Sequence, residues 1–167
     1  MNNLDKIRQI NFYHIPKDWK ITYLKYICKE IGDGLHSTPI YSNTSSFYFV
    51  NGNNFLNGSI VIDKKTRTVS ESEFKKHFIK IGYQTILMSI NGTIGNLALY
   101  SGEKIILGKS ACYMNVSENI FRDFIFYQLS SDLIQNLFRK ELTGSTIQNL
   151  SLKAIRSTPI PMPPLPE

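Results

Sequence analysis

The chain has 167 residues, of which 42% are hydrophobic, so it is long enough and apolar enough to bury the core of one domain. It has no apolar run of about 18 residues or more and no signal-peptide pattern near its start, which argues against a membrane span or export and predicts a cytoplasmic protein. The net charge of +6 favours a polyanionic partner, although the Lys, Asn and Ile content of an AT-rich genome gives a similar balance.

The first third of the sequence predicts an arm, a strand and a short helix. Residues 1–14 are polar without a clear hydrophobic period and are interpreted as an arm outside the core. A strand over 19–21 is followed by Thr22, a residue type that commonly caps a helix. The segment 30–39, with two glycines, is typical of a loop.

The middle of the sequence is rich in β-forming residues. Residues 47–50 and 59–62 predict two strands, and the Asn- and Gly-rich segment between them predicts that they form a hairpin. Ser70 and Glu73 match a capping box, which predicts a short helix through 72–77. Apolar runs separated by Asn-Gly and Ser-Gly pairs then predict an antiparallel sheet; they cover 85–90, 94–100, 104–107 and 111–116.

Two amphipathic helices are predicted after these strands. Ser117 can cap the first helix, and the polar residues 130–132 separate it from the second. Strands followed by helices give an α+β fold with a twisted antiparallel or mixed sheet, a short N-terminal helix and two packed C-terminal helices. Pro159 opens a proline-rich exit, which we expect to be an extended connector outside sheets and helices.

Cys28 and Cys112 lie far apart and have apolar or aromatic neighbours, a pattern typical of buried free thiols. The sequence has no CxxC pair and no Cys/His cluster, so it offers no ligand set for structural zinc. We therefore expect no metal and no cofactor.

Four segments occur in a recognisable order: DGLHSTP at 33–39, SINGTIG at 89–95, TGST at 143–146 and IRSTPIPMPPLPE at 155–167. Together they resemble the target recognition domain of specificity subunits, the DNA-recognition subunits of type I restriction-modification systems. The resemblance implies a DNA methylase specificity domain-like fold at 15–158 and a proline-rich exit at 159–167 toward a connecting helix that is missing here. The chain is thus expected to correspond to a single domain or truncated half subunit.

The resemblance also implies function and partners. The chain is expected to bind double-stranded DNA without catalysis and to direct methyltransferase and restriction subunits to a split target site. Half subunits of this family are expected to pair with one another. The alternative is a truncated remnant that acts as a protein-interaction module without binding DNA.

Candidate DNA-binding residues come from four polar or basic segments and from Lys109, which is an isolated candidate. Lysine and arginine suit phosphates, whereas amide, hydroxyl and imidazole groups suit base edges. The candidates are Asp33, His36, Ser37, Lys64, Lys65, Arg67, Asn91, Thr93, Lys109, Ser145, Thr146, Gln148 and Asn149.

Each of these segments also has a structural interpretation. His36 can hold its own loop together by a hydrogen bond, and the Asn91-Gly92-Thr93 stretch can be a tight turn instead of a phosphate-binding clamp. In the last loop, Gly144 can end a helix while Ser145 or Thr146 caps the next, and a helix N-terminus can also bind a phosphate.

A nuclease is the weakest alternative. Asp63 and Glu73 loosely match the carboxylate pair of a magnesium-dependent nuclease. Glu73, however, is already accounted for by the capping box, and the sequence lacks the Asn/Asp-Pro-Pro-aromatic loop of adenine methyltransferases. We therefore expect no catalytic residues.

Overall fold

The computed structural model describes residues 15–144 and 146–164, and these form an α+β fold. The predicted arm at 1–14, the candidate Ser145 and the end of the exit at 165–167 lie outside the described residues. The strands of the described chain are β1 (Lys20–Tyr23), β2 (Cys28–Asp33), β3 (Tyr41–Ser42), β4 (Phe47–Val50), β5 (Phe55–Leu56), β6 (Ser59–Ile60), β7 (Arg67–Val69), β8 (Thr85–Ser89), β9 (Leu97–Leu99), β10 (Ile105–Leu107), β11 (Ala111–Val116) and β12 (Pro159–Met162). The helices are α1 (Leu24–Ile27), α2 (Glu71–Lys76), α3 (Arg122–Ser130), α4 (Asp132–Lys140) and α5 (Leu152–Arg156), with a 3-10 turn at Gly52–Asn54.

A four-stranded antiparallel sheet in the order β2-β11-β8-β9 lies at the centre of the fold. All five residues of β8 are buried, because both faces of this sheet are covered. Side chains alternate between the two faces of a strand, so Ile86 and Met88 enter one apolar cluster while Leu87 enters another. The predicted antiparallel sheet is confirmed for the runs that contain β8, β9 and β11.

The helices cover one face of this central sheet. Met114 and Ile86 share that face with apolar side chains of the helices, among them Ile125 of α3, Phe138 of α4 and Ile155 of α5. Ser131 caps α4 by accepting a hydrogen bond from the Ile134 N–H at 3.4 Å, so the predicted break between two C-terminal helices is confirmed.

A second four-stranded sheet, in the order β10-β4-β7-β3, packs on the other face. Here β4 pairs antiparallel with β7 and parallel with β10. The predicted hairpin between 47–50 and 59–62 is therefore wrong: the local hairpin joins β5 to β6, and β4 has partners that are distant in sequence. The run 104–107 likewise belongs to this second sheet, because an apolar run does not specify its partner strand.

The proline-rich segment starts as a strand, which corrects the expectation that it cannot join a sheet. β12 pairs antiparallel with β1, with Tyr23 opposite Pro159 and Ile21 opposite Pro161. The prolines alternate with Ile160 and Met162, so every second residue keeps an N–H for pairing, and the two-stranded sheet tolerates them.

Three predicted boundaries are shifted in the structure. Thr22 lies inside β1, and α1 begins after Tyr23 without a side-chain cap. Residues 30–33, expected in a loop, complete β2 because they pair with β11. Ser117 donates its N–H to the Ile27 carbonyl at 2.9 Å instead of capping α3, which begins after Phe121.

Both cysteines are buried free thiols, as the sequence predicts. Burial raises the pKa of the Cys28 thiol to about 12 and raises that of Cys112 as well. Neither thiol is therefore a reactive nucleophile at neutral pH. None of the helices in the described part of the chain is long and apolar enough to cross a membrane.

Candidate nucleic-acid interface

Several strands of both large sheets end at the same edge of the fold. The register places Ala111, the first residue of β11, opposite Ser89, the last residue of β8. Cys112 lies opposite Asp33 at the end of β2, and Leu107 lies beside Val50 where β10 and β4 end. The loops that leave these strands therefore meet at this edge.

The turn at 108–110 between β10 and β11 connects these loops. Leu35 donates its N–H to the Leu107 carbonyl at 2.7 Å, which attaches the loop after β2. Gly108 donates its N–H to the Val50 carbonyl at 2.8 Å. A side chain on Gly108 would collide with Asn51 and Phe49, so this close approach requires glycine.

Ser110 joins two further loops to the turn. Its hydroxyl accepts the Gly52 N–H at 2.9 Å and donates to Asn51 Oδ1 at 3.1 Å, and its carbonyl accepts the Ile90 N–H at 2.9 Å. Lys109, between Gly108 and Ser110, is exposed at this junction. In the sequence Lys109 is distant from the other candidate residues, whereas in the structure it lies in the turn that connects their loops.

The Asn91 turn and the last polar loop lie side by side. Gly92 donates its N–H to the Gln148 carbonyl at 3.2 Å, and Asn91 Nδ2 donates to Asn149 Oδ1 at 3.5 Å. Asn149 and Thr143 exchange backbone hydrogen bonds that close the last loop. The exposed Thr93 and Thr146 flank this contact.

The cap predicted for that last loop is wrong. Helix α4 ends at Lys140, before Gly144 is reached, and Ser151, not Thr146, caps α5 by accepting the Ala154 N–H at 3.1 Å. Thr146 is therefore a loop residue and does not form a phosphate site at a helix N-terminus.

His36 is held by its own loop. Its Nε2 lies 2.7 Å from Asp33 Oδ2, while 72% of the His36 side chain is exposed. The structural interpretation of His36 is thus confirmed, and its imidazole still faces solvent at the common edge beside the exposed Ser37.

The basic segment 63–67 forms a turn built around Asp63. The Asp63 carboxylate accepts the N–H of Lys65 at 2.8 Å and of Thr66 at 3.1 Å. Asn54 ties the turn to the 3-10 turn by donating from Nδ2 to the Val61 carbonyl at 3.0 Å. Lys64 and Lys65 are both exposed, and neither side chain is used to hold the turn.

We call the combined surface the loop cluster. It consists of residues 33–37, 51–54, 63–67, 91–93, 109–110 and 146–149. All the predicted site residues in the described part of the chain belong to it. Lys75 does not, because it lies on α2 and pairs with Glu71 at 2.8 Å.

Sequence reasoning missed Tyr41, Asn51, Asn53 and Ser110. Asn51 and Asn53 were interpreted as hairpin-loop residues, since Asn and Gly are common in turns. The position of Asn51 beside Ser110 depends on the parallel pairing of β4 with β10, which no local pattern reveals. Tyr41 lies in a two-residue strand too short to give a signal.

The two carboxylates of the nuclease alternative have structural partners. Asp63 holds its turn, and Glu73 is buried, receives the Ile40 N–H at 3.4 Å and lies 3.1 Å from His77 Nε2. Within the described residues, no group of three or more His, Cys, Asp or Glu side chains is arranged to hold a metal ion.

Comparison with known proteins identifies a family over nearly the whole chain. A family model described as "Type I restriction modification DNA specificity domain" matches residues 16–167. No curated protein matches the chain.

Solved structures share the fold. The S subunit of the type I restriction-modification system from M. genitalium is 18% identical with a TM-score of 0.60, over 89% of this chain and 35% of that one. The HsdS subunit from Thermoanaerobacter tengcongensis is 15% identical with a TM-score of 0.60, over 98% and 38%. A structure described as explaining complex assembly and conformational transition of the type I R-M system is 16% identical with a TM-score of 0.61, over 98% and 41%. The chain thus spans less than half the length of each of these proteins.

Proposed function

Because the chain belongs to the family of type I restriction modification DNA specificity domains, and is a noncatalytic member of that system, we propose that it recognises a short sequence of double-stranded DNA through the loop cluster. The observation that supports this most strongly is the convergence of five other chain segments with the turn at 108–110, either by direct hydrogen bonds or through a neighbouring loop. Loops on a rigid sheet edge are well suited to hold base-contacting groups in fixed positions.

The side chains of the loop cluster suit two kinds of DNA contact. Lys64, Lys65 and Lys109 are exposed cations that would bind phosphates and position the domain without selecting a sequence. Gln148 and the turn residue Asn91 carry amides, which can pair with adenine or other base edges in the major groove.

The partners follow from the family. Type I specificity subunits assemble with methyltransferase and restriction subunits on DNA. This domain would direct those subunits, in the cytoplasm, to one part of a split target, while methyl transfer and cleavage are carried out by the partners. A second recognition domain, supplied by another copy or by a longer chain, would recognise the other part.

Fluorescence anisotropy with labelled duplex DNA tests the proposal. We expect binding that weakens steeply between about 50 mM and about 200 mM salt, since released counterions drive phosphate binding. The Lys64→Ala/Lys65→Ala double variant should weaken binding to all duplexes and lower the slope of log affinity against log salt by about 2.

Lys25→Ala is the matched control. Lys25 is an exposed lysine on α1, before the start of β2, whereas the loop cluster lies after the end of β2. Lys25→Ala removes one positive charge at the opposite edge of the sheet and should lower the salt slope by much less than half of the effect of the double variant. No binding at the low salt concentration would contradict DNA recognition and support the alternative, a protein-interaction module.

A further inference from the structure

Arg67 occupies an unusual position within the loop cluster. Its guanidinium lies over the Tyr41 ring, 5.4 Å from the centroid, and the Tyr41 and Phe49 rings are 6.0 Å apart. These three residues line a cleft of about 400 Å³, together with Asn51 and Asn53. The cleft is open to solvent at the edge where the loop cluster lies.

The strand register explains why these side chains meet. Arg67 lies opposite Phe49 across the β4–β7 pair, and Tyr41 lies opposite Val69, two residues further along β7. Cross-strand partners and next-but-one residues point to the same face of a sheet, so Tyr41, Phe49 and Arg67 share one face. Helix α2 covers the other end of this face through Phe74, whose ring is 4.7 Å from that of Phe47.

The donors of Arg67 are available for a ligand. Within the described part of the chain, the Arg67 side chain contacts the Tyr41 ring and forms neither an ion pair nor a side-chain hydrogen bond. Asp63, an acid that lines the same cleft, instead accepts hydrogen bonds from Lys65 and Thr66. The guanidinium is thus held in orientation by a ring and not by a carboxylate that would occupy its donors.

We propose that Arg67 recognises the major-groove edge of a guanine in the target sequence, with Tyr41 as the residue that positions its guanidinium. The inference rests on the proposed function and adds one specific base contact to it. The planar fork of arginine can donate to guanine O6 and N7 together, and this is the commonest specific contact to DNA bases.

The arrangement favours a base over a phosphate as the ligand of Arg67. Phosphates can be bound by mobile point charges, and the neighbouring Lys64 and Lys65 already supply these. Recognition of guanine instead needs a fork that is held in place, and the contact with the Tyr41 ring, 5.4 Å from the guanidinium carbon to the ring centroid, positions the Arg67 side chain at the cleft. Asn53 is exposed at the same cleft and can contact an adjacent base.

Selection of binding sites from a pool of randomised duplexes tests the proposal. The wild-type domain should select a motif that contains at least one guanine. Arg67→Lys keeps the charge but loses the fork, so it should relax the preference at one guanine position and leave the other positions unchanged. The Lys64→Ala/Lys65→Ala variant should keep the whole motif and bind it more weakly.

Replacing that guanine with 7-deazaguanine in the selected duplex removes the N7 acceptor alone. This change should weaken wild-type binding on the order of 10-fold and leave Arg67→Lys binding nearly unchanged. Tyr41→Phe should retain the guanine preference because it keeps the ring, whereas Tyr41→Leu should lose it. Circular dichroism melts check that each variant folds.

The outcomes distinguish failure of sequence-specific DNA recognition from failure of the guanine contact alone. If the wild-type domain selects no motif, sequence-specific recognition itself is contradicted. If it selects a motif that Arg67→Lys leaves intact, or if that variant weakens all duplexes equally, DNA recognition stands and the guanine contact is wrong.

Discussion

The two large sheets of this domain differ in what their side chains do. The central sheet buries residues on both faces, including all of β8, and its apolar side chains share one core with residues of four helices, α1, α3, α4 and α5. The outer sheet has strands of two to four residues, and it carries Arg67 and Tyr41 at an open cleft. This contrast indicates that stability depends mainly on the central sheet, while the outer sheet and the loops at the common edge contribute less to it.

The largest effect should come from the central sheet. Met114 is fully buried on β11, between Ile31 of β2 and Ile86 of β8. Met114→Ala should lower the free energy of unfolding by about 2–5 kcal/mol, because it creates a cavity between helices and sheet. Urea denaturation at neutral pH measures this change.

Val69→Ala is the comparison in the outer sheet. Val69 is also fully buried, but its strand has three residues. The smaller side chain loses less apolar area, so we expect about 1–2 kcal/mol. An equal or larger loss than for Met114→Ala would contradict the assignment of stability to the central sheet.

The next effect concerns two glycines in one turn. Gly95 has φ +86° and lies against Gln135 of α4, which donates to its carbonyl at 3.2 Å, whereas Gly92 has φ +74° and open space around it. Gly95→Ala should destabilise the domain by about 1–3 kcal/mol, through backbone strain and the displaced Gln135.

Gly92→Ala is the control, since it adds only the backbone strain of about 1 kcal/mol. Thermal melts of both variants measure the difference, which reports packing against α4. Gly92 belongs to the loop cluster, so Gly92→Ala should also weaken DNA binding. Equal DNA affinity of the Gly92→Ala and Gly95→Ala variants would contradict the proposal that the loop cluster binds DNA.

Features that depend on residues adjacent in sequence could be predicted, whereas features that depend on distant pairing could not. The Ser70 cap and the break at Ser131 depend on neighbouring residues, and the structure contains both. The second half of the predicted capping box is not formed, because the Glu73 carboxylate accepts the Ile40 N–H and contacts His77 instead. Ser117 and Thr22 have the same chemistry but are used by strand or loop contacts, because tertiary pairing overrides a weak capping preference.

For the candidate site, too, the sequence predicts individual residues but not how distant segments come together. Polar and basic segments mark Lys64, His36 and Asn91 as candidates without revealing that they share one edge. Their convergence depends on pairings between residues far apart in sequence, such as Leu35 with Gly108 and Asn91 with Asn149. The contact of Arg67 with Tyr41 requires the register of β3 and β7, which no sequence pattern specifies.

Two helix caps also compare the stability contributed by the central and outer sheets, with a smaller expected effect. Ser151 caps α5, whose Ala154 and Ile155 belong to the central core. Ser70 caps α2, which packs on the outer sheet, and its hydroxyl accepts the Glu73 N–H at 3.2 Å. Ser151→Ala should lower the free energy of unfolding by about 1 kcal/mol.

Ser70→Ala makes the identical chemical change and should lower it by less than half as much, because α2 can fray without opening the central core. Hydrogen exchange of the α2 amides should accelerate in that variant. Equal losses of global stability in the two variants would indicate that both sheets unfold as one unit.

The smallest effect is a pH dependence in the basic turn. Hydrogen bonds from the backbone N–H of Lys65 and from Thr66 hold the pKa of Asp63 below its ordinary value of 3.8. A carboxyl group with a lowered folded-state pKa stabilises the folded protein above its unfolded pKa, and this contribution is lost as pH falls through the folded pKa. Asp63→Asn keeps an oxygen acceptor without the charge, so the urea midpoints of variant and wild type should differ slightly at pH 7 and converge in acid. The same variant removes a negative charge beside Lys64 and Lys65 and should therefore bind DNA slightly more tightly at pH 7; weaker binding would indicate that the turn needs the carboxylate to hold its lysines at the loop cluster.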